Sequence, residues 1–296
     1  MRKIHLLSAV FVFLATLAFG QFSEGIATAD ELYEDDQLQA SVSELEAALS
    51  DAGSGAERAE VYWRLSRATL GLGEDLEDAG ADTDRILETY TEGEEYGRSA
   101  IEADPSNHLG YYWTSANIGK WGQTRGILNS LIKAGPMRDL LAEAIERDPE
   151  HADSYYVLGQ LYAQVPGLMS FGNDNYAVSL GRKSVDLKQE QSRRDPEEEF
   201  NEDFRIQLAS HLIERDWNAR KRRREQSGKA EQYRNTSNLL EKNFHYEGVV
   251  DIPDMSDVDE AEELLRTAIS ELESRNELGD GERRNLEDAR ELLSQL

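Results

Sequence analysis

The 296-residue chain predicts an all-α fold, a solenoid of about four irregular helix pairs with a C-terminal helix pair as its cap. Three observations carry this. In the stretch 144–187, Tyr155, Leu158, Gly159 and Tyr162 recur at the three-to-four spacing that puts an apolar stripe on one side of a helix, and Ala177, Leu180, Gly181, Ser184 and Leu187 do so on a second. The segment AIEADP at 100–105 returns as AIERDP at 144–149, a spacing of 44 residues, and self-similarity at a fixed period marks stacked repeats. Helical periodicity then continues through the chain between short insertions and the charged connector KQEQSRRDPEEEF, and lapses into a loop or short strand at YEGVVDIPD, residues 246–254.

Residues 1–20 stand apart. Arg2 and Lys3 lead into an apolar run from Ile4 to Phe19, too short for a comfortable membrane span and laid out as a secretory signal, with Ala18 and Gly20 before a cut at Gln21. The expectation is an exported, periplasmic or otherwise extracytoplasmic protein, attached to a membrane only through an uncleaved signal or a partner. Without cysteine, no disulfide framework is available, and the core must hold the fold alone. A formal charge of -27, from 32 basic and 59 acidic residues, repels nucleic acid and anionic lipid and favours a soluble monomer, although homo-oligomers remain open.

Residues 21–245 read as the repeat domain and 246–296 as the acidic terminal pair. Residues 31–49 predict one acidic helix, with Leu38, Val42, Leu45 and Leu49 on one face and DAGSG ending it. A helix over 59–70 follows, then GLGEDLEDAGADTD at 71–84, read as a solvated, glycine-bearing insertion rather than a calcium loop because its ligand spacing is not that of an EF-hand. The partner helix runs 85–103. A helix from His108 leads to a longer one that Gly135-Pro136 should kink or break. After the 152–187 pair and its inserted VPGLMSFGN, a helix at 204–215 takes a partner starting at Trp217. That partner carries Arg220, Lys221, Arg222, Arg223 and Arg224, expected to face water or pair with acidic neighbours. Ser256 caps the last pair, 258–274 and 282–296, whose polar outer face suits the end of a solenoid.

With Ala152 as position 1, an aromatic falls at 4, Leu-Gly at 7 and 8 and Tyr at 11, which resembles the tetratricopeptide repeat. Within residues 63–212, WRLSRATLG, YYWTSANIGKWG, AIERDP and LGQLYAQVPG followed by SFGN are similar to the T component associated with periplasmic TRAP transporters. They are also similar to the repeat domain of the regulator of microtubule dynamics family. The resemblance implies a helical scaffold of about four repeats and, for the transport relatives, a periplasmic solute-binding protein as partner. The chain lacks the N-terminal lipid-attachment Cys of the T component.

Nothing in the sequence supplies catalytic chemistry. His5, His108, His151, His211 and His245 have no metal-ligand spacing, and there is no HExxH, G-x-S-x-G, phosphate-cradling glycine loop or Cys nucleophile. The expectation is a protein that is not an enzyme and needs no cofactor or metal, binding a protein through the first helix of each pair. Position 4 of the frame packs inward, and positions 5 and 9 turn to the groove. These are Trp63, Tyr112 and Tyr156, with Arg67 and Gln160 one turn along, aromatic and Arg groups of the kind that carry binding energy. Their bland alternative is extra core.

Overall fold

The computed structural model describes residues 21–167, 170–195 and 199–296, all helix, turn and loop, with no strand among them. The chain divides into two compact units, Met1–Arg147 and Asp148–Leu296. The expected signal segment lies outside the described residues.

The first unit holds α1 (residues 21–34), α2 (Leu38–Leu49), α3 (Gly55–Asp78), α4 (Thr83–Ala103), α5 (His108–Arg125) and α6 (Ile127–Arg147). Each helix start is written in the sequence. Ser54 accepts from the Glu57 amide while Glu57 returns a bond to the Ser54 amide, and Asp82 and Asn107 cap α4 and α5. Consecutive helices pack as antiparallel pairs, and α3 also packs on α5. Phe22, Ala29, Val42, Leu45, Ala48, Val61, Leu65 and Ala68 form one apolar cluster of α1, α2 and α3.

The 44-residue repeat has an atomic counterpart. Tyr111 donates to the Pro105 carbonyl at 3.2 Å and Tyr155 to the Pro149 carbonyl at the same distance, while Asp104 and Asp148 accept from the amides two residues on. A polar knot ties α3, α4 and α5: buried Asn117 donates to the Ser66 carbonyl and hydroxyl, and Ser66 Oγ to the Gly93 carbonyl. A Cβ on Gly93 would lie 2.1 Å from the Asn117 side chain, so glycine is required there.

Two local expectations for this unit need correction, and a third is narrowed. The single helix over 31–49 is two helices, separated where Asp36 takes φ 59°. The 71–84 segment is not an insertion loop, since α3 continues to Asp78. Gly71 and Gly73 are sites of close approach, and a Cβ on Gly73 would meet the Tyr90 ring at 2.3 Å, whereas Gly80 serves the turn after the helix at φ 63°. Pro136 neither ends nor splits α6. The carbonyl that loses its partner belongs to Ile132, which is 74% exposed and stands where water can reach.

The second unit holds α7 (Ala152–Gln164), α8 (Asp174–Arg194), α9 (Asp203–Arg215), α10 (Ala219–Asn235), α11 (Leu239–Asn243), α12 (Asp257–Ser274) and α13 (Asp280–Ser294). Gly159, Gly181 and buried His211 meet where α7, α8 and α9 converge. A Cβ on Gly159 would stand 3.4 Å from the Ala177 carbonyl and 3.4 Å from His211 Nε2, so nothing larger than alanine fits.

The largest correction concerns pairing. The helix after Trp217, α10, is not the partner of α9; α9 packs on α12, and α10, α11 and a short 3-10 turn at Tyr246–Gly248 are inserted between them. The reason is apolar surface. The only buried residues of α10 are Arg222 and Lys229, whereas α12 buries Ala261, Leu265, Ala268 and Leu272 along one face and packs on α9. Residues 246–296 therefore contribute α12 as the partner of α9, and α13 lies against α12 and α9.

Candidate interaction surface

In the first unit α3 packs on α5, while the second helices of successive pairs make no comparable contact, so the first helices share one side of the unit. On that side Asp30 of α1 receives Arg64 Nε at 3.0 and 2.9 Å and Arg67 at 2.7 Å. Arg67 lies 3.8 Å from the centroid of Tyr33 and 5.2 Å from that of Trp63, and Arg64 covers Trp63 at 4.1 Å. Glu60 accepts from Trp63 Nε1 at 3.0 Å and from Asn107 of α5 at 2.8 Å. Lys120 of α5 pairs with Glu74 of α3, and Thr124 donates to Glu77 at 2.5 Å. The face is thus a lattice of cations, carboxylates and aromatic rings laid over an apolar core.

The residues singled out by the frame take different places. Tyr111 and Tyr155, at position 4, are buried, and Tyr112 and Tyr156, at position 5, are half-buried, the division the helical frame requires. Trp63 departs from it. Only 7% exposed, it is the floor on which the arginines lie, and Tyr62 is the more open of that doublet. Arg67 bridges α1 and α3. In the second unit Tyr156 donates to Asp203 at 2.5 Å and packs against Phe204, with Gln160 half-buried one turn along. Burial raises the Asp203 carboxyl, against the lowering effect of that hydrogen bond. Tyr112 contacts Trp113 edge to face at 4.9 Å.

His108 opens α5, His151 stands at the N-cap of α7, and no group of acidic, His or Cys residues among those described could hold a metal. No described helix is long and apolar enough to cross a membrane.

Sequence reasoning missed one constellation. In the second unit Arg182, Arg215, Arg222 and Lys229 converge, buried, on Glu247, Asp257 and Glu260. Arg182 grips Glu260 through two bonds of 2.7 Å, and Arg215 holds Glu247 at 2.6 and 2.9 Å and Asp257 at 2.8 and 2.7 Å. Arg222 bonds Glu260, Lys229 bonds Glu247, and the Trp217 amide donates to Asp257 at 2.9 Å. Burial alone would raise the Glu247 carboxyl, but Arg215, Arg182 and Lys229 hold it well below the usual range. Burial also depresses the Lys229 amine, in spite of Glu247. A partial signal existed: Arg222 and Lys229, seven residues apart, share one face of α10.

Residues 25–179 match the model of the regulator of microtubule dynamics protein 1-3 family, more than half of the chain. The chain belongs to that family. It is 28% identical to regulator of microtubule dynamics protein 1 of Caenorhabditis elegans over 126 residues, 43% of this chain and 52% of that protein. With the Bos taurus protein of the same name it shares 28% over 151 residues, 51% of this chain and 45% of that one. The chain thus spans about half the length of these relatives. The crystal structure of a thermophilic TPR protein of Thermus thermophilus covers 76% of this chain and 96% of its own, at TM-score 0.48 and 15% identity. The family match takes in the face built on α1, α3 and α5 and stops before Arg182, so the buried charge network lies wholly in the part it does not cover.

Proposed function

We propose that the chain is a non-catalytic scaffold that binds an extended or helical segment of a partner protein along the first-helix face of its first unit. The observation that carries the reading is the Arg67 bridge, a guanidinium between Tyr33 and Trp63 that donates one hydrogen bond to Asp30. Such a face offers aromatic contact area and fixed charges of both signs without further ordering. Membership of the regulator of microtubule dynamics family supports a scaffold role, and the relatives' name suggests a partner among proteins that govern microtubules. The layout of residues 1–20 supports export instead. Export is the reading proposed for location, with a solute receptor the partner it would imply. One experiment separates these. Full-length protein carrying a photo-crosslinking residue at position 112 is expressed in its own host and recovered from the exported fraction. The expected result is a chain beginning at Gln21 with one dominant crosslinked protein, absent when the probe sits at Glu88. Recovery only from the cytoplasm, with Met1 intact, would turn the reading away from export. Equal crosslinking from 88 and 112 would remove the face.

A further inference from the structure

The buried network of the second unit carries four cationic side chains and three carboxylates, leaving one positive charge without a buried counter-ion. Its cationic edge reaches a cleft of about 480 Å³ between the start of α8, the middle of α10 and residues 244–245. Lys229, 8% exposed, lines that cleft. Its ammonium lies 4.7 Å from the centroid of Trp217, another lining residue. Tyr176 and Phe244 line it as well, stacked on each other with centroids 4.3 Å apart and planes 9° apart, with His245 edge-on to Tyr176 and Asn173 beside them. Asn175 also lines the cleft, and its buried Oδ1 has no hydrogen-bond partner. Two carboxylates stand there too: Glu225, paired with Arg224 at 2.9 Å, and Glu231, exposed.

We propose that this cleft binds a monocarboxylate with a planar apolar body, its carboxylate beside Lys229 and its body against Tyr176 and Phe244. An anion at Lys229 supplies the missing counter-charge where solvent can reach the network, and aromatic walls favour a flat partner of matching size. Glu231 at the rim disfavours a second negative charge, so a dicarboxylate binds less well. A free small molecule and a peptide chain end present the same chemistry.

Calorimetric titration of the full-length protein tests this with indole-3-acetate against indole-3-acetamide, which differ in shape hardly at all and in charge by one. The peptide Ala-Ala-Phe, with free or amidated terminus, distinguishes the two sources. The acetate should saturate one site and the acetamide bind at least about tenfold more weakly; the free peptide end competes only if a chain end is a ligand. Lys229→Met makes the network three against three, so it should remain folded while losing the acetate. Gln232→Glu, at an exposed lining position, should weaken binding about tenfold with no change in melting temperature. Equal binding of acetate and acetamide, no binding of either, or full affinity in Gln232→Glu would overturn the proposal.

Discussion

Glu247→Ala is expected to cost about 3–5 kcal/mol of stability in the second unit, because removing one partner of a buried ion cluster leaves the other charges desolvated and unmatched. Glu247 accepts from Arg182, Arg215 and Lys229, so its loss raises the excess from one positive charge to two in the same buried volume. Against a total of about 5–15 kcal/mol typical of a folded domain, that is a large share. Denaturant unfolding should resolve it as a lower midpoint for the transition of the second unit, with the first unit little changed. Lys229→Met provides the contrast, since it removes the excess charge. A Glu247→Ala midpoint equal to wild type would mean that the network does not hold α8, α9, α10 and α12 together.

The second large effect is acid lability centred on His211. Its ring is buried at the convergence of α7, α8 and α9, Nε2 has no hydrogen-bond partner, and burial lowers its pKa to about 4 from an ordinary 6.5. Above pH 6.5 the imidazole is neutral in folded and unfolded chain alike, and the group is neutral toward stability. Below that value the unfolded chain takes up a proton that the folded one refuses. Stability therefore falls between pH 6.5 and pH 4, by roughly 3 kcal/mol at about 1.4 kcal/mol per unit, and levels off below. The cations around Glu247 and Glu260 hold both carboxyls below the usual range, so neither adds a proton-uptake step of its own above the ordinary carboxylate range. Imidazole proton shifts should titrate with a midpoint near 4, and His211→Met should flatten the pH slope of the unfolding midpoint. A titration near 6.5 would show that the ring meets solvent.

How much of this could be read from the sequence depended on the range of the interaction. Caps and hairpins are local, and Ser54, Asp82, Asn107, Asn173 and Ser256 each start a helix for a reason visible within three residues. The recurrence at 44 residues was legible and proved to set the same tyrosine-to-carbonyl bond twice. Position 5 gave Tyr112 and Tyr156 as the more open members of their doublets, but it failed at Trp63. There the tie from α3 to Asp30 of α1 draws arginines across the indole, and no spacing within α3 foretells a partner 34 residues upstream. The pairing of α9 with α12 was hidden for a similar reason. Chain order alone sets α10 beside α9, but α10 has no apolar face to pack. The basic run at 220–224 was half legible: Arg223 and Arg224 do pair with acidic neighbours near the surface, whereas Arg222 turns inward to a carboxylate 38 residues away.

The most direct test of the scaffold reading compares two adjacent tyrosines of α5. Tyr111 is buried, its hydroxyl on the Pro105 carbonyl and its ring under Arg147, so Tyr111→Ala should cost about 3–5 kcal/mol of stability. Tyr112, half-buried beside it, should cost the fold little. Measured against the protein crosslinked through position 112, Tyr112→Ala should weaken binding by about 2 kcal/mol, roughly thirtyfold, with a melting temperature within a few degrees of wild type. Unchanged affinity in Tyr112→Ala, or a loss of stability equal to that of Tyr111→Ala, would contradict the assignment of this face to partner binding.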